Sequence, residues 1–503
     1  MLLGNLAAVA LLLVLAWRPR VATVGLPLCY LLSLGTIHFV GAWVSTLPAS
    51  PAGNALFIAH GFRECFAGVV AFTAAVLVTD FVLLRPRSVR IRDSRTCVRR
   101  RSSRAGAQLS SSGPSRQPPR WAKSGRGLDS EIGGVPLAYV AMGVACVLAS
   151  PLFKPVPSLA ALVHCGAYLI VAGCCMGCFF AWRNRRRARF LSWVACTCLF
   201  PAFTILTTGF IGYGVFASLM VLSFAMMIYR PRWQALASLI ALAYVALSVY
   251  VTYMRGRDQM REAVWGGQAY STRLGQLREV FARFEFFRPN DGAQLQAIDD
   301  RLNQNYLVGA ACSQLENGLV PWARGRTIWR AVLALVPRIL WPGKPVVAGG
   351  ENIVSEYTGL SFAEFTSVGV GQVMEFYINF GRLGVIAGFC LLGVLLRFLD
   401  WRAALCLQAA RHSGFVLWYL PGLAFMQTGG SLVEVSGTCA ASVLVALAAR
   451  RLDGPFVRGR LRRLALPRRF KPGLEVARTE PRQPEVPGPK RFSDSKRKCS
   501  LSA

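Results

Sequence analysis

Charged residues are scarce in this chain, and carboxylates are the scarcest of them: 16% of the 503 residues are Asp, Glu, Lys or Arg, with 24 acidic against 57 basic. Beside 54% apolar content, that is too little charge for an ordinary soluble globular protein of this length. Short segments of alternating polarity are also missing, which excludes a transmembrane barrel. What the chain has instead is a series of continuous apolar runs of about 17 to 25 residues, each near the length that crosses ~30 Å of hydrocarbon.

A disulfide framework is absent as well. Most of the 15 cysteines lie inside apolar runs, as Cys174, Cys175, Cys178, Cys196 and Cys198 do, where they behave as small hydrophobes. The Cys-Cys-x-x-Cys spacing at 174–178 has no histidine or carboxylate beside it, so packing is expected there rather than a metal or redox centre. Cys312 has no clear partner. The first apolar stretch, 2–16, is followed rather than preceded by Arg18 and Arg20 and shows no convincing cleavage site, so a retained helix is expected in place of a signal peptide. No internal repeat is visible, which disfavours a transporter.

The expected fold class is therefore all-α: a polytopic helical membrane protein with about 11 transmembrane helices and one large extracytoplasmic loop. Residues 1–252 would hold the first eight spans, with a basic disordered cytoplasmic loop at 85–130. Residues 253–382 would form the loop, 383–449 the last three spans, and 450–503 a basic cytoplasmic tail. Basic clusters follow runs one, three, five and seven, and one orientation satisfies the positive-inside rule for all of them, with the N terminus outside and the C terminus in the cytoplasm. That rule accounts for the net charge of +33 without a nucleic-acid ligand. Residues 85–126 hold 13 Lys or Arg and a single Asp, too polar to form a core but suited to lie against anionic lipid.

Tyr253–Arg382 differs from everything around it. It holds 14 of the 57 basic residues but 12 of the 24 acidic ones, so it is nearly neutral, and any chemistry is expected there. Arg255 and Arg257 stand at the mouth of the eighth span, where a guanidinium fork suits a phosphate. The stretch 301–306 (RLNQNY) offers Arg301 and Asn305 as sugar ligands, or forms an ordinary helix. Arg326 precedes an apolar stretch too short to span. In RILWPGKP, Arg338 and Lys344 supply cations and Trp341 suits the headgroup level. Glu375, Tyr377 and Asn379 follow, with Glu375 and Asn379 four apart on one helix face. Outside the segment, His60, Arg63 and Glu64 read either as a cavity lining or as a capped helix end among headgroups. Glu434 reads either as a functional intramembrane carboxylate or as a structural partner.

PRILWPGKP at 337–345, GRTIWRAVLALV at 325–336 and GVGQVMEFYINFGRLG at 369–384 resemble the Wzy-type polymerases of O-antigen or exopolysaccharide repeat units. The resemblance implies a bacterial inner-membrane enzyme that moves a growing glycan from undecaprenyl diphosphate onto another lipid-linked unit at the periplasmic face, with no metal or other cofactor. It also implies a chain-length regulator and a flippase as possible partners. Within it, Arg255, Arg338 and Glu375 are the candidate catalytic residues. Arg257, Arg301, Asn305, Arg326, Trp341, Lys344, Tyr377 and Asn379 are candidate substrate ligands. An O-antigen ligase shares the donor and the layout and is the alternative, followed by a flippase or other transporter.

Overall fold

Every regular element in the computed structural model is helical among the described residues, which are 8, 11, 22–50, 55–84, 125–153, 157–229, 233–336, 341, 350–362 and 368–465. In chain order the helices are α1 (Leu26–Val44), α2 (Ala55–Val78, continued by a π-helical turn Thr79–Leu84), α3 (Gly125–Ala149), α4 (Pro157–Gly166), α5 (Tyr168–Arg183), α6 (Arg187–Ala195), α7 (Phe200–Thr208) and α8 (Ile211–Tyr229). There follow α9 (Trp233–Trp265), α10 (Tyr270–Ala282), α11 (Gly292–Leu302), α12 (Gln304–Glu316), α13 (Arg326–Ala334), α14 (Gly350–Thr358), α15 (Gln372–Gln408), α16 (His412–Ala424) and α17 (Leu432–Ala465). The chain divides into two compact units, Met1–Asp453 and Gly454–Ala503; of the second, the described residues 454–465 are helical.

The protein is an all-α polytopic membrane protein, with eight candidate spans among the described residues rather than the expected eleven: Leu26–Val44, Ala55–Val82, Gly134–Phe153, Leu159–Arg183, Arg187–Thr208, Ile211–Tyr229, Gln372–Gln408 and Leu432–Arg451. The first expected span, 2–16, lies outside the described residues apart from two positions. The eighth run, 234–252, is the apolar half of α9, a helix that continues into Arg255, Arg257, Asp258 and Arg261. The tenth run yields α16, whose 13 residues rise only about 20 Å, short of the hydrocarbon thickness. Of the irregular loop expected at 85–130, residues 85–124 lie outside the described residues and 125–130 already belong to α3. Helix α17 likewise carries 450–465 beyond the point where an irregular tail was expected.

The segment 253–382 does not stand apart as a loop domain. Its helices pack onto one end of the bundle: α12 lies along α2 and also meets α15, and α11 packs on α1. Small residues permit the α2–α12 approach, since a Cβ on Gly309 would overlap the Phe57 carbonyl and one on Gly61 would overlap that of Asn305. The most extensive contact joins α2 to α15, where Phe72 and Phe389 are wholly buried and Tyr30 of α1 stacks on Phe72 at 4.7 Å.

Ion pairs mark both ends of this α2–α15 seam. At one end, which we call the helix-rich end because α10–α14 gather there, Arg382 meets Glu64. At the opposite end Arg397, 3% exposed, pairs with Asp80 at 2.5 Å and with Asp400, and donates to the Ala22 carbonyl at 3.1 Å. Asp400 Oδ1 in turn accepts from the amides of Val24 (2.9 Å) and Leu26 (3.0 Å), so one carboxylate satisfies the N-terminus of α1 and the arginine together.

Two stability outcomes follow. Gly309→Ala should cost about 1 to 3 kcal/mol by overpacking, whereas Gly275→Ala, with open space around it inside α10, should gain about 0.5 to 1 kcal/mol; the readout is the unfolding midpoint in detergent. Asp400→Ala should cost about 3 to 5 kcal/mol, because it leaves two buried helix-start amides without an acceptor and takes from Arg397 one of its two carboxylates, and an unchanged midpoint would refute that role.

Candidate functional site

At the helix-rich end, the first turns of α2 bring His60, Arg63 and Glu64 beside the end of α12 and the middle of α15. Glu64 is 1% exposed and accepts from three guanidinium nitrogens: Arg382 Nε at 3.0 Å, Arg382 Nη2 at 2.5 Å and Arg63 Nε at 3.3 Å. Both arginines are themselves about half exposed, at 48% and 50%. One buried charge thus anchors two half-exposed cations, an arrangement that suits a doubly charged anion. His60 Nε2 lies 2.8 Å from Arg63 Nη2 and 3.4 Å from Glu316 Oε1. Tyr377 Oη donates to the same Glu316 oxygen at 2.7 Å, and Glu316 is half exposed.

A break in α15 presents Arg382. Phe380 (φ −143°, ψ 22°) and Gly381 (φ 61°, ψ −152°) leave helical geometry, and the Gly381 conformation is one that only glycine adopts without strain. The Trp322 ring beside Gly381 leaves room for a Cβ in ordinary contact, so the constraint there is the backbone angle, and that ring lies 6.0 Å from the ring of Tyr377. Asn379 fixes the break by accepting from Gly325 N (2.8 Å) and donating to Thr327 Oγ1 (2.7 Å) and to the Glu375 carbonyl (2.7 Å).

The residues singled out in the sequence scatter over several environments. Tyr377 and Asn379 join this site, Tyr377 through Glu316 and Asn379 as the clamp on the break. Glu375 is wholly buried: one oxygen accepts from Leu432 N at 2.6 Å, capping α17, and the carboxylate also lies against the Thr327 hydroxyl. Asn305 is equally buried and ties α12 to α1 through the His38 carbonyl (2.7 Å) and ring (2.8 Å). Arg326 bonds Glu356 at 2.5 Å and Tyr357 at 3.2 Å, and the Glu356 hydrogen bond raises its basicity above the ordinary guanidinium value. Arg255 is taken up by Glu285, with Asp291 at 3.9 Å. Arg257 and Arg301 belong to a separate basic group. Trp341 is partly exposed, while Arg338 and Lys344 lie outside the described residues. Glu434 is a cap: it accepts from Ser431 N at 3.0 Å while Ser431 Oγ accepts from Glu434 N at 3.3 Å, a reciprocal capping box.

Arg382, Glu316 and Trp322 were not singled out as site residues from sequence. A signal existed for Arg382, an isolated cation opening a long apolar run, as it did for the Arg63–Glu64 pair opening another. Glu316 carried none, because only folding sets it beside Tyr377. Burial pushes the neighbouring Cys312 thiol up to about 12, so it is inert at neutral pH. Among the described residues, no group of three or more His, Cys, Asp or Glu side chains could hold a metal ion. Comparison with protein-family models, curated proteins and solved structures returns no match for this chain.

Removing the shared anchor should cost more than removing one of its cations. Glu64→Ala leaves two arginines without their counter-charge and should lower stability by about 3 to 5 kcal/mol, while Arg382→Ala leaves Arg63 on Glu64 and should cost clearly less. Equal unfolding midpoints for the two variants would contradict the shared-anchor geometry.

Proposed function

We propose that this protein is a membrane glycosyltransferase that polymerises oligosaccharide repeat units carried on undecaprenyl diphosphate, as a Wzy-type O-antigen or exopolysaccharide polymerase. The observation that carries the reading is the pair of half-exposed guanidiniums of Arg63 and Arg382 held on the buried Glu64. The motifs around 325–345 and 369–384 support it independently, and two of them run directly into the site at Gly325 and Arg382. The basic clusters at the opposite ends of the spans support an orientation in which the helix-rich end faces the periplasm of a bacterial inner membrane, with the C terminus cytoplasmic.

In this reading an acceptor hydroxyl attacks the anomeric carbon of the donor glycan. The new C–O bond forms as the bond to the lipid diphosphate breaks, its electron pair leaves on the diphosphate oxygen, and the acceptor proton passes to a base. Negative charge therefore grows on the leaving group, and Arg63 and Arg382 stabilise it more in the transition state than in the ground state. Glu316 is the carboxylate suited to receive the proton, since it is half exposed and oriented by Tyr377, whereas Glu375 is wholly buried with one oxygen on the α17 amide. Trp322 offers a face on which an acceptor sugar can stack. Arg338 and Lys344, through the resemblance, are further contacts to the lipid diphosphate. A chain-length regulator and a flippase would act as partners, and anionic lipid would surround the basic cytoplasmic segments.

Reconstituted protein given a lipid-linked repeat unit should produce a ladder of longer glycans. Arg382→Ala and Glu316→Gln should each slow it by about a hundredfold or more. No ladder from competent substrate would overturn the polymerase, and transfer only to a lipid A core acceptor would make the protein a ligase using the same clamp.

A further inference from the structure

A second gathering of cations lies where α9 leaves its apolar half. Arg257 and Arg261 are one turn apart on α9, and Arg301 comes to them from the last turn of α11. Arg257 is 16% exposed, and the Nε atoms of both Arg257 and Arg261 are buried without a hydrogen-bond partner. Asp258 stands 3.3 Å from Arg257 Nε, but it is 85% exposed and does not satisfy that donor. The Arg261 guanidinium lies over the rings of Phe210 (4.4 Å) and Trp265 (5.4 Å), which fix its plane without supplying an acceptor.

The carboxylates beside the group, Asp258 and Asp300, are fewer than its three cations. Burial, followed by the charge of Arg257, holds both Arg261 and Arg301 below the usual guanidinium range, and for each of them Arg257 outweighs Asp258; for Arg301 it outweighs Asp300 as well. Arg255, two residues before Arg257, is matched by Glu285. Arg397 has two carboxylates, Arg63 and Arg382 share one, and the buried Arg273 donates to the carbonyls of Gln268 (2.8 Å) and Leu206 (3.1 Å). Two buried guanidinium nitrogens without an acceptor, in a gathering of three cations, suit an added anion. The position selects its kind. The group follows directly on the apolar run 234–252, and Tyr250, Tyr253 and Trp265 surround it, the aromatic company of a headgroup layer.

We propose that Arg257, Arg261 and Arg301 form a binding site for the phosphate of a membrane lipid, separate from the Arg63–Arg382 clamp. Guanidinium forks pair with phosphate oxygens in two-point fashion, and the acyl or prenyl chain would run down the apolar half of α9. The phosphate could be that of a phosphoglyceride headgroup or of a polyprenyl carrier. The site does not depend on glycosyl transfer, because its test reads binding alone.

The test is native mass spectrometry of the full chain in a neutral detergent, titrated separately with phosphatidylglycerol, with undecaprenyl phosphate and with inorganic diphosphate. The expected result is a retained lipid whose apparent affinity falls about tenfold or more in Arg257→Gln/Arg301→Gln and is unchanged in Arg278→Gln, an exposed arginine of α10 used as the control. Which of the two lipids is retained names the source. Because the double variant could lose its fold, Arg301→Gln alone, at an exposed position, is measured beside it with the unfolding midpoint as a check, and should show a smaller loss in the same direction. Equal retention by wild type and the folded Arg301→Gln variant, or binding of inorganic diphosphate as tight as that of either lipid, would overturn the proposal.

Discussion

The α2–α15 seam depends on charges that a hydrocarbon environment makes expensive to leave unpaired. An unmatched carboxylate or guanidinium at membrane depth costs several kcal/mol, so each one present constrains what must lie next to it. Asp80, Arg397 and Asp400 fix the register at one end and Glu64 with Arg382 fixes it at the other, while Phe72, Phe389 and the small residues between them only need to pack. The apolar contacts supply most of the burial, but a slide of one helix along the other would leave them nearly as good. Breaking either ion cluster would not, which is why polar residues rather than apolar ones set the alignment.

The same constraint builds the candidate site. With the α2–α15 register fixed, Arg382 has to reach Glu64 from a helix that would otherwise continue straight, and the break at Phe380–Gly381 allows it. Asn379 and the Gly325 amide hold that break open from the α13 side, so the approach to α13, the end of α12 and the start of α2 all converge on it. Glu64 is too buried to meet a ligand itself. Its contribution is to keep two guanidiniums ordered before a ligand arrives, which lowers the entropy lost on binding.

Much of this was legible in the residue pattern and some of it could not be. Continuous apolar runs specify membrane helices, and the run at 383–399 lies within the α15 span after its break, because length and hydropathy are local properties. Counting falls short at α16, whose apolar run is present but too brief to cross. Glu375 illustrates the larger difficulty. A carboxylate four residues from an asparagine beside paired cations reads as a general base, yet the α17 amide that occupies it comes from 57 residues further along the chain. Glu316, with no distinguishing neighbour in sequence, gains its place from Tyr377, 61 residues away. Motif residues announce a region, and the partner that decides each one's chemistry is contributed by a different helix.

Arginines show this most plainly, since the residue type is constant and only the company changes. Arg397 has two carboxylates and a carbonyl, so it is a structural tie with no capacity left. Arg255 is neutralised by Glu285, and Arg326 by Glu356. Arg63 and Arg382 divide one buried carboxylate between them and stay half exposed, which is the ground for proposing them as a clamp. Arg257 and Arg261, gathered with Arg301, keep buried Nε atoms without an acceptor, which is the ground for proposing an anion there. Charge matching thus sorts the arginines into ties, pairs and binding groups without any reference to sequence motifs. By that measure the arginines with most capacity for an anion are not Arg326, paired with Glu356, but Arg63 and Arg382, which share one carboxylate, and Arg257 and Arg261, whose Nε atoms have no acceptor.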